Sequence, residues 1–163
     1  MRFKQSVSLL SLVFTIHLAL GEVISGVVIA VSDGDTLKVL TEDQVPKTVR
    51  LAGVDTPEKP QEFGQQAKDE LTALCLHKSV HADVRAIDRY GRTVARVHCE
   101  GIDAAAKMLQ QGLAWHFTRY AHTQPKEESE SDRLEQSKAQ EAKRGLWSLP
   151  EPVAPWDWRS KRN

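Results

Sequence analysis

Val23 to Ser32 is a run rich in β-branched residues, interrupted by Ser25 and Gly26, and Thr36 to Thr41 sets Leu37 and Val39 against Lys38 and Leu40. A period of two predicts strands, and Asp33-Gly34 between them predicts a hairpin turn. Val45 to Gly53 is a third strand candidate, with Val49, Leu51 and Val54 marking one face imperfectly. Beyond Pro57 and Pro60 the spacing changes: Ala67, Leu71, Leu74 and Cys75 share one stripe of a helix over Gln65 to Leu76. Ser79 to Ile87 and Thr93 to Cys99 return to strand spacing, joined around Arg89-Tyr90-Gly91. Asp103 is a good N-cap for a helix through Gln111, and Gly112 its stop.

Lys126 to Arg144 is polar throughout, with Glu127, Glu128, Glu130 and Asp132 at its start and Lys143-Arg144 at its end. That order matches a helix macrodipole, and Gly145 can cap it. Only Leu134, Ala139 and Ala142 offer a packing stripe, and a disordered linker is the rival reading for Thr123 to Ser131. After Trp147 come three prolines, Trp156, Trp158 and a basic tip, which reads as an irregular tail whose tryptophans dock on the body. Five strands with a helix after the third match the order of an OB-type barrel; strand count alone leaves other α+β arrangements open.

The first 21 residues read differently from the rest. Arg2 and Lys4 precede an apolar run, Leu9 to Leu20, too short to span a bilayer comfortably, and Ala19-Leu20-Gly21 supplies small residues for cleavage. The expectation is a signal peptide over 1–21 cut after Gly21, a secreted or periplasmic body over 22–148 with no membrane association, and a Pro/Trp-rich tail over 149–163. An uncleaved anchor is the bland alternative. Basic and acidic residues number 22 each, and removal of Arg2 and Lys4 shifts the net charge from zero to about −2. Such a chain is not a strongly basic nucleic-acid binder; attraction to a polyanion must be local, from the site arginines, a divalent cation and Arg89, Arg96 and Arg119. Cys75 and Cys99, an even pair, suit a disulfide in an exported protein, against the alternative of two small buried hydrophobes. Structural zinc lacks its ligand spacing.

Three segments carry the chemistry: Asp33-Gly34-Asp35-Thr36, Arg50-Leu51-Ala52-Gly53-Val54-Asp55-Thr56-Pro57-Glu58 and Asp88-Arg89-Tyr90-Gly91-Arg92. Each sets acidic or guanidinium groups at the end of a strand-like run. Asp35, Asp55 and Glu58 are hard oxygen ligands of the kind that suit Ca²⁺ or Mg²⁺. Arg50 and Arg92 are planar forks that suit a phosphate. Taken singly, each has an ordinary explanation as a turn carboxylate or a surface salt bridge; together they are what metal-assisted cleavage of a phosphodiester needs.

In this order and spacing, from about Val23 to about Ser148, the motifs resemble the thermonuclease family of the staphylococcal nuclease type. The resemblance implies a five-stranded OB-type barrel with about three helices, and a Ca²⁺-dependent nuclease acting on DNA and RNA and leaving 3′-phosphate ends. It implies that Asp35, Asp55 and the Thr56 carbonyl hold the calcium ion, that Glu58 orients or deprotonates the attacking water, and that Arg50 and Arg92 clamp the phosphate. Arg89, Tyr90 and Tyr120 fall where the family contacts substrate, although Thr118 stands where the staphylococcal type has a second tyrosine. A monomer is expected. Two other classes remain in view: a non-catalytic OB module that binds nucleic acid, and a protein-interaction module built on the tail.

Overall fold

Strands β1 (Val23–Val31) and β2 (Thr36–Thr41) run antiparallel across the Asp33-Gly34 turn, which closes with the Ser32 amide donating to the Thr36 carbonyl at 2.8 Å. The computed structural model describes residues 21–119 and 124–161, so the expected signal segment and Tyr120 lie outside the described residues. Strand β3 (Pro46–Leu51) pairs with β2, β5 (Ser79–Ile87) pairs with β1, and β6 (Thr93–Cys99) pairs with β5, all antiparallel. A parallel pairing of Val49, Arg50 and Leu51 with Thr93, Val94 and Ala95 then joins β3 to β6 and closes a five-stranded barrel of the OB type. Extra residues at Ile29 in β1 and Arg85 in β5 shift the register. Such bulges bend a strand and increase its twist, which closure of a small barrel requires. Two short pairs complete the sheet structure: β4 (Val54–Asp55) with β8 (Trp115–His116), and β7 (Ile102–Asp103) on the edge of β6.

Alternation along the strands sends Val28, Leu37, Val39, Val49, Leu51, Ala82, Ala95 and Val97 into a core from which solvent is fully excluded. Helix α1 (Gly64–Cys75) adds Ala67 and Leu71, and α2 (Ala104–Gln110) adds Met108 and Leu109. Asp103 caps α2, its side chain accepting from the Ala106 amide at 3.1 Å. A disulfide joins Cys75, the last residue of α1, to Cys99, the last residue of β6. A crosslink over 24 residues contributes roughly 3 kcal/mol by loop closure.

The two C-terminal segments meet expectation in part: the helix forms and a tail tryptophan docks, but not in the way foreseen. Helix α3 (Lys126–Glu141) forms without the apolar stripe proposed for it: Leu134 is half exposed, Ala142 is exposed, and only Ala139 of the three is buried. Asp132 is buried in their place and holds the helix to Arg96 of β6. Arg96 is therefore a structural residue, and its assignment to polyanion attraction is corrected. The tail is not irregular either. A 3-10 turn, Gly145–Ser148, is followed by a fourth helix, α4 (Pro155–Ser160). Pro155 lies in its first turn, where a missing N–H costs nothing. Trp156 anchors it, its ring 5.7 Å from that of Trp115 and 5.5 Å from that of Phe117. No helix among the described residues is long and apolar enough to cross a membrane.

Candidate active site

The parallel pairing of β3 with β6 decides the geometry of the site. It sets Arg50 beside Val94, two residues beyond Arg92, and leaves the chain after Leu51 to turn back through β4 and deliver Asp55. The β1–β2 turn delivers Asp35 from the other side, where the Asp33 carboxylate accepts from the Asp35 amide at 3.1 Å. Asp33 thus does the turn work expected of it. Asp35, Arg50, Asp55, Thr56, Glu58 and Arg92 all line one cleft of about 1000 Å³.

Arg50 is the hinge of the carboxylate pair. Its Nη2 lies 2.7 Å from Asp55 Oδ1 and 3.0 Å from Asp35 Oδ2, while Nη1 donates to the Val54 carbonyl at 3.0 Å. Burial works against the guanidinium charge, but Asp35 and Asp55 outweigh it and its pKa rises. Arg50 is thus tied to the two acids rather than presented free to a ligand. Asp55 is almost wholly buried, and burial pushes its pKa up although Arg159 and Arg50 oppose the shift. Asp35 also accepts from the Thr36 hydroxyl at 2.9 Å and the Thr56 amide at 3.3 Å.

Glu58 stands at the open side of the site, with 37% of its side chain exposed. Its loop is fixed by Gln61, whose Oε1 accepts from the Glu58 amide at 2.7 Å and whose own amide donates to the Glu58 carbonyl at 2.8 Å. Gly64 makes the closure possible: a Cβ there would lie 2.1 Å from the Glu58 carbonyl oxygen. On the opposite wall, Asp88 organises the turn after β5. It accepts from the amides of Tyr90 (2.9 Å) and Arg92 (3.0 Å) and from Arg92 Nε (2.7 Å). Burial would raise the Asp88 pKa, but these hydrogen bonds from Arg92 and Tyr90 overcome it and hold the carboxylate below its usual range. Arg89 and Arg92 both lie over the exposed Tyr90 ring, at 5.1 and 5.5 Å.

Hard oxygen donors make the donor set suitable for Ca²⁺. Asp35 and Asp55 approach one guanidinium nitrogen from two sides, and Asp55 and Glu58 approach a second guanidinium, so cationic charge is already what these oxygens gather around. Among the described residues no group of three or more acidic, His or Cys side chains can by itself hold an ion, so phosphate and water must complete any shell.

That second guanidinium, Arg159 of α4, is the participant that sequence reasoning missed. Its Nη2 is 2.7 Å from Asp55 Oδ2 and its Nη1 is 2.6 Å from Glu58 Oε1. Burial opposes its charge, but hydrogen bonds to Asp55 and Glu58 prevail and raise its pKa. The contact closes over 104 residues of sequence, and only the basic character of the tail hinted at it.

Comparison with known proteins bears on this arrangement. The model of a family described as staphylococcal nuclease homologue matches residues 48–149. A Haemophilus influenzae protein called an uncharacterized endonuclease is 38% identical over 132 residues, covering 81% of this chain and 71% of its own length. The micrococcal nuclease of Shigella flexneri is 34% identical over 143 residues, 82% of this chain and 79% of the relative. The probable staphylococcal-like nuclease CAN1 of Oryza sativa subsp. japonica is 38% identical over 116 residues, 71% of this chain. The chain spans about a third of the length of the plant relatives it matches.

Proposed function

The chain belongs to the staphylococcal nuclease homologue family, and from that premise we propose that it is a nuclease, an exported Ca²⁺-dependent phosphodiesterase that cuts DNA and RNA with little sequence preference and leaves 3′-phosphate ends. One observation carries the reading: a single cleft gathers Asp35, Asp55 and Glu58 with Arg50 and Arg92. Held by Asp35, Asp55 and the Thr56 carbonyl, Ca²⁺ would supply Lewis-acid stabilisation of charge on the phosphoryl oxygens.

The chain's own residues do the rest. Glu58, on a loop fixed by Gln61 and open to solvent on one side, orients the attacking water and accepts its proton. Arg92, aimed by its Nε contact with Asp88, donates to the phosphate as charge builds in the five-coordinate transition state. Arg50, held at the edge of the same cleft by the two aspartates, adds its charge there and turns toward the phosphate once the cation takes those carboxylates. Tyr90 offers an exposed ring face to a base, with Arg89 beside it. Contacts to phosphate and metal carry no base information, which accounts for the lack of sequence preference. The Cys75–Cys99 disulfide supports export, since such bonds persist in oxidising compartments. Every residue named comes from one chain, so the reading needs no partner subunit to complete the site.

Incubation of the mature chain with plasmid DNA and with RNA, in Ca²⁺ or in chelator, tests the reading. Cleavage that needs Ca²⁺ and yields 3′-phosphate ends is expected. Binding without cleavage across a series of divalent cations would leave a nucleic-acid-binding module instead.

A further inference from the structure

Helix α4 forms one wall of the cleft, contributing Trp156, Asp157, Arg159 and Ser160. Its Arg159 guanidinium does more than line the wall. It spans Asp55 Oδ2 at 2.7 Å and Glu58 Oε1 at 2.6 Å, with Asp55 Oδ1 at 3.4 Å. One of these carboxylates is assigned above to the calcium ion and the other to the attacking water. A guanidinium 2.7 Å from Asp55 Oδ2 neutralises that carboxylate and repels a divalent cation approaching it, so the two compete for the same negative charge. A glutamate engaged by the Arg159 guanidinium is also turned away from an attacking water.

The tail is docked where this contact can be made and released. Trp156 packs on Trp115 and Phe117, and Gln61 donates to the Val153 carbonyl at 3.1 Å while its Oε1 holds the Glu58 amide. One side chain therefore ties the Glu58 loop to the tail. Yet α4 has only six residues, too few to be stable alone, and 43% of the Arg159 side chain is exposed. A single short helix held by a partly exposed ion pair opens at low cost.

We propose that α4 is an autoinhibitory latch in which Arg159 competes with the divalent cation for Asp55 and engages Glu58 until the cation displaces it. The inference rests on the calcium-site reading above. A latch lowers the apparent affinity of the cation by the fraction of molecules in which the site is open.

The test is calorimetric titration of Ca²⁺ alone into the mature full-length chain and its Arg159→Gln, Arg159→Lys and Asp35→Asn variants, each checked for fold by circular dichroism. Partly exposed ion pairs are worth little singly, so Arg159→Gln is expected to tighten Ca²⁺ binding by roughly three- to tenfold. Arg159→Lys keeps the charge but loses the fork; it is expected to tighten binding as well, whereas wild-type affinity in this variant would reduce Arg159 to a general field effect and overturn the latch. Equal affinities in the wild type and Arg159→Gln, or weaker binding in the latter, overturn the latch and leave the calcium site standing. Absence of Ca²⁺ binding in the wild type and in Arg159→Gln alike overturns both, and Asp35→Asn should lose binding if the site is where it is placed. Hydrogen exchange supplies an independent readout. Amide protection over residues 154–161 should fall when Ca²⁺ is added to the wild type, and unchanged protection at saturating Ca²⁺ counts against the latch.

Discussion

Arg96 and Asp132 meet fork to fork, with Arg96 Nη1 2.8 Å from Asp132 Oδ2 and Nη2 2.9 Å from Oδ1, and Asp132 is completely buried. Arg96 also donates through Nε to Asp103 at 2.6 Å. One residue of β6 thereby holds the N-cap of α2 and the middle of α3 together. Helix α3 in turn supports β8, since Gln136 accepts from the His116 amide at 2.7 Å. The aromatic platform of Trp115 and Phe117, against which α4 rests, thus depends on a buried ion pair.

Asp132→Ala should destabilise the fold by up to about 3–5 kcal/mol, because it removes the bidentate partner of the buried Arg96 and leaves that charge to Asp103 and the more distant Glu128. Urea denaturation monitored by tryptophan fluorescence measures this. The double variant Arg96→Met with Asp132→Leu should recover most of the loss, as apolar replacement of both partners removes the desolvation cost with the attraction. A double variant as unstable as the single one would show that the ion pair itself, and not its desolvation, dominates.

The same pair explains where the sequence was legible and where it was not. The bounds of β2, β5 and β6 follow from local alternation and turn residues, and Asp103 announces α2 by its own chemistry. Asp35, Asp55, Glu58 and the two motif arginines were legible because they sit at strand ends in ordered motifs. Helix α3 was legible in its order of charges, but its packing face was not, because a period search looks for apolar residues and its anchor is a carboxylate whose partner lies 36 residues away. Gln61 and Arg159 were invisible for a related reason. The Gln61 contact with Val153 spans 92 residues and the Arg159 contact with Asp55 spans 104, and no local pattern encodes such a meeting.

Acidification should weaken the fold through His116. Burial pushes this imidazole below the usual histidine value, against the raising effect of the nearby Asp132 carboxylate. A depressed folded-state pKa means that the unfolded chain binds the proton more readily. The stability is therefore fully present above the unfolded value near 6.5 and is lost as the pH falls through the folded value. The slope from one proton is at most about 1.4 kcal/mol per pH unit. Thermal melts between pH 8 and pH 5 should show His116→Gln losing less stability on acidification than the wild type; parallel curves would assign the loss to other groups.

Arg92→Lys should lower turnover by about 10²–10³ while leaving the fold intact. Lysine keeps the charge but cannot hold Asp88 with one nitrogen and present a planar fork to phosphate with the others. Initial rates on plasmid DNA, with circular dichroism as the control for folding, measure the effect. Wild-type turnover in the variant would make Arg92 part of the Asp88 turn and nothing more.

Glu58→Gln separates catalysis from binding. The amide is nearly isosteric and keeps an oxygen to accept from Arg159, so the tail contact and the Gln61-fixed loop can remain in place. It cannot take a proton from water, and general-base contributions are typically about 10²–10⁴-fold. A fall of that size in cleavage rate is expected, with Ca²⁺-dependent binding of nucleic acid retained. Rates equal to the wild type would make Glu58 a bystander and move activation of the water to another group. A variant that loses binding together with cleavage would instead mean that Glu58 holds the substrate or the cation, and the assignment of a proton-accepting role would fail.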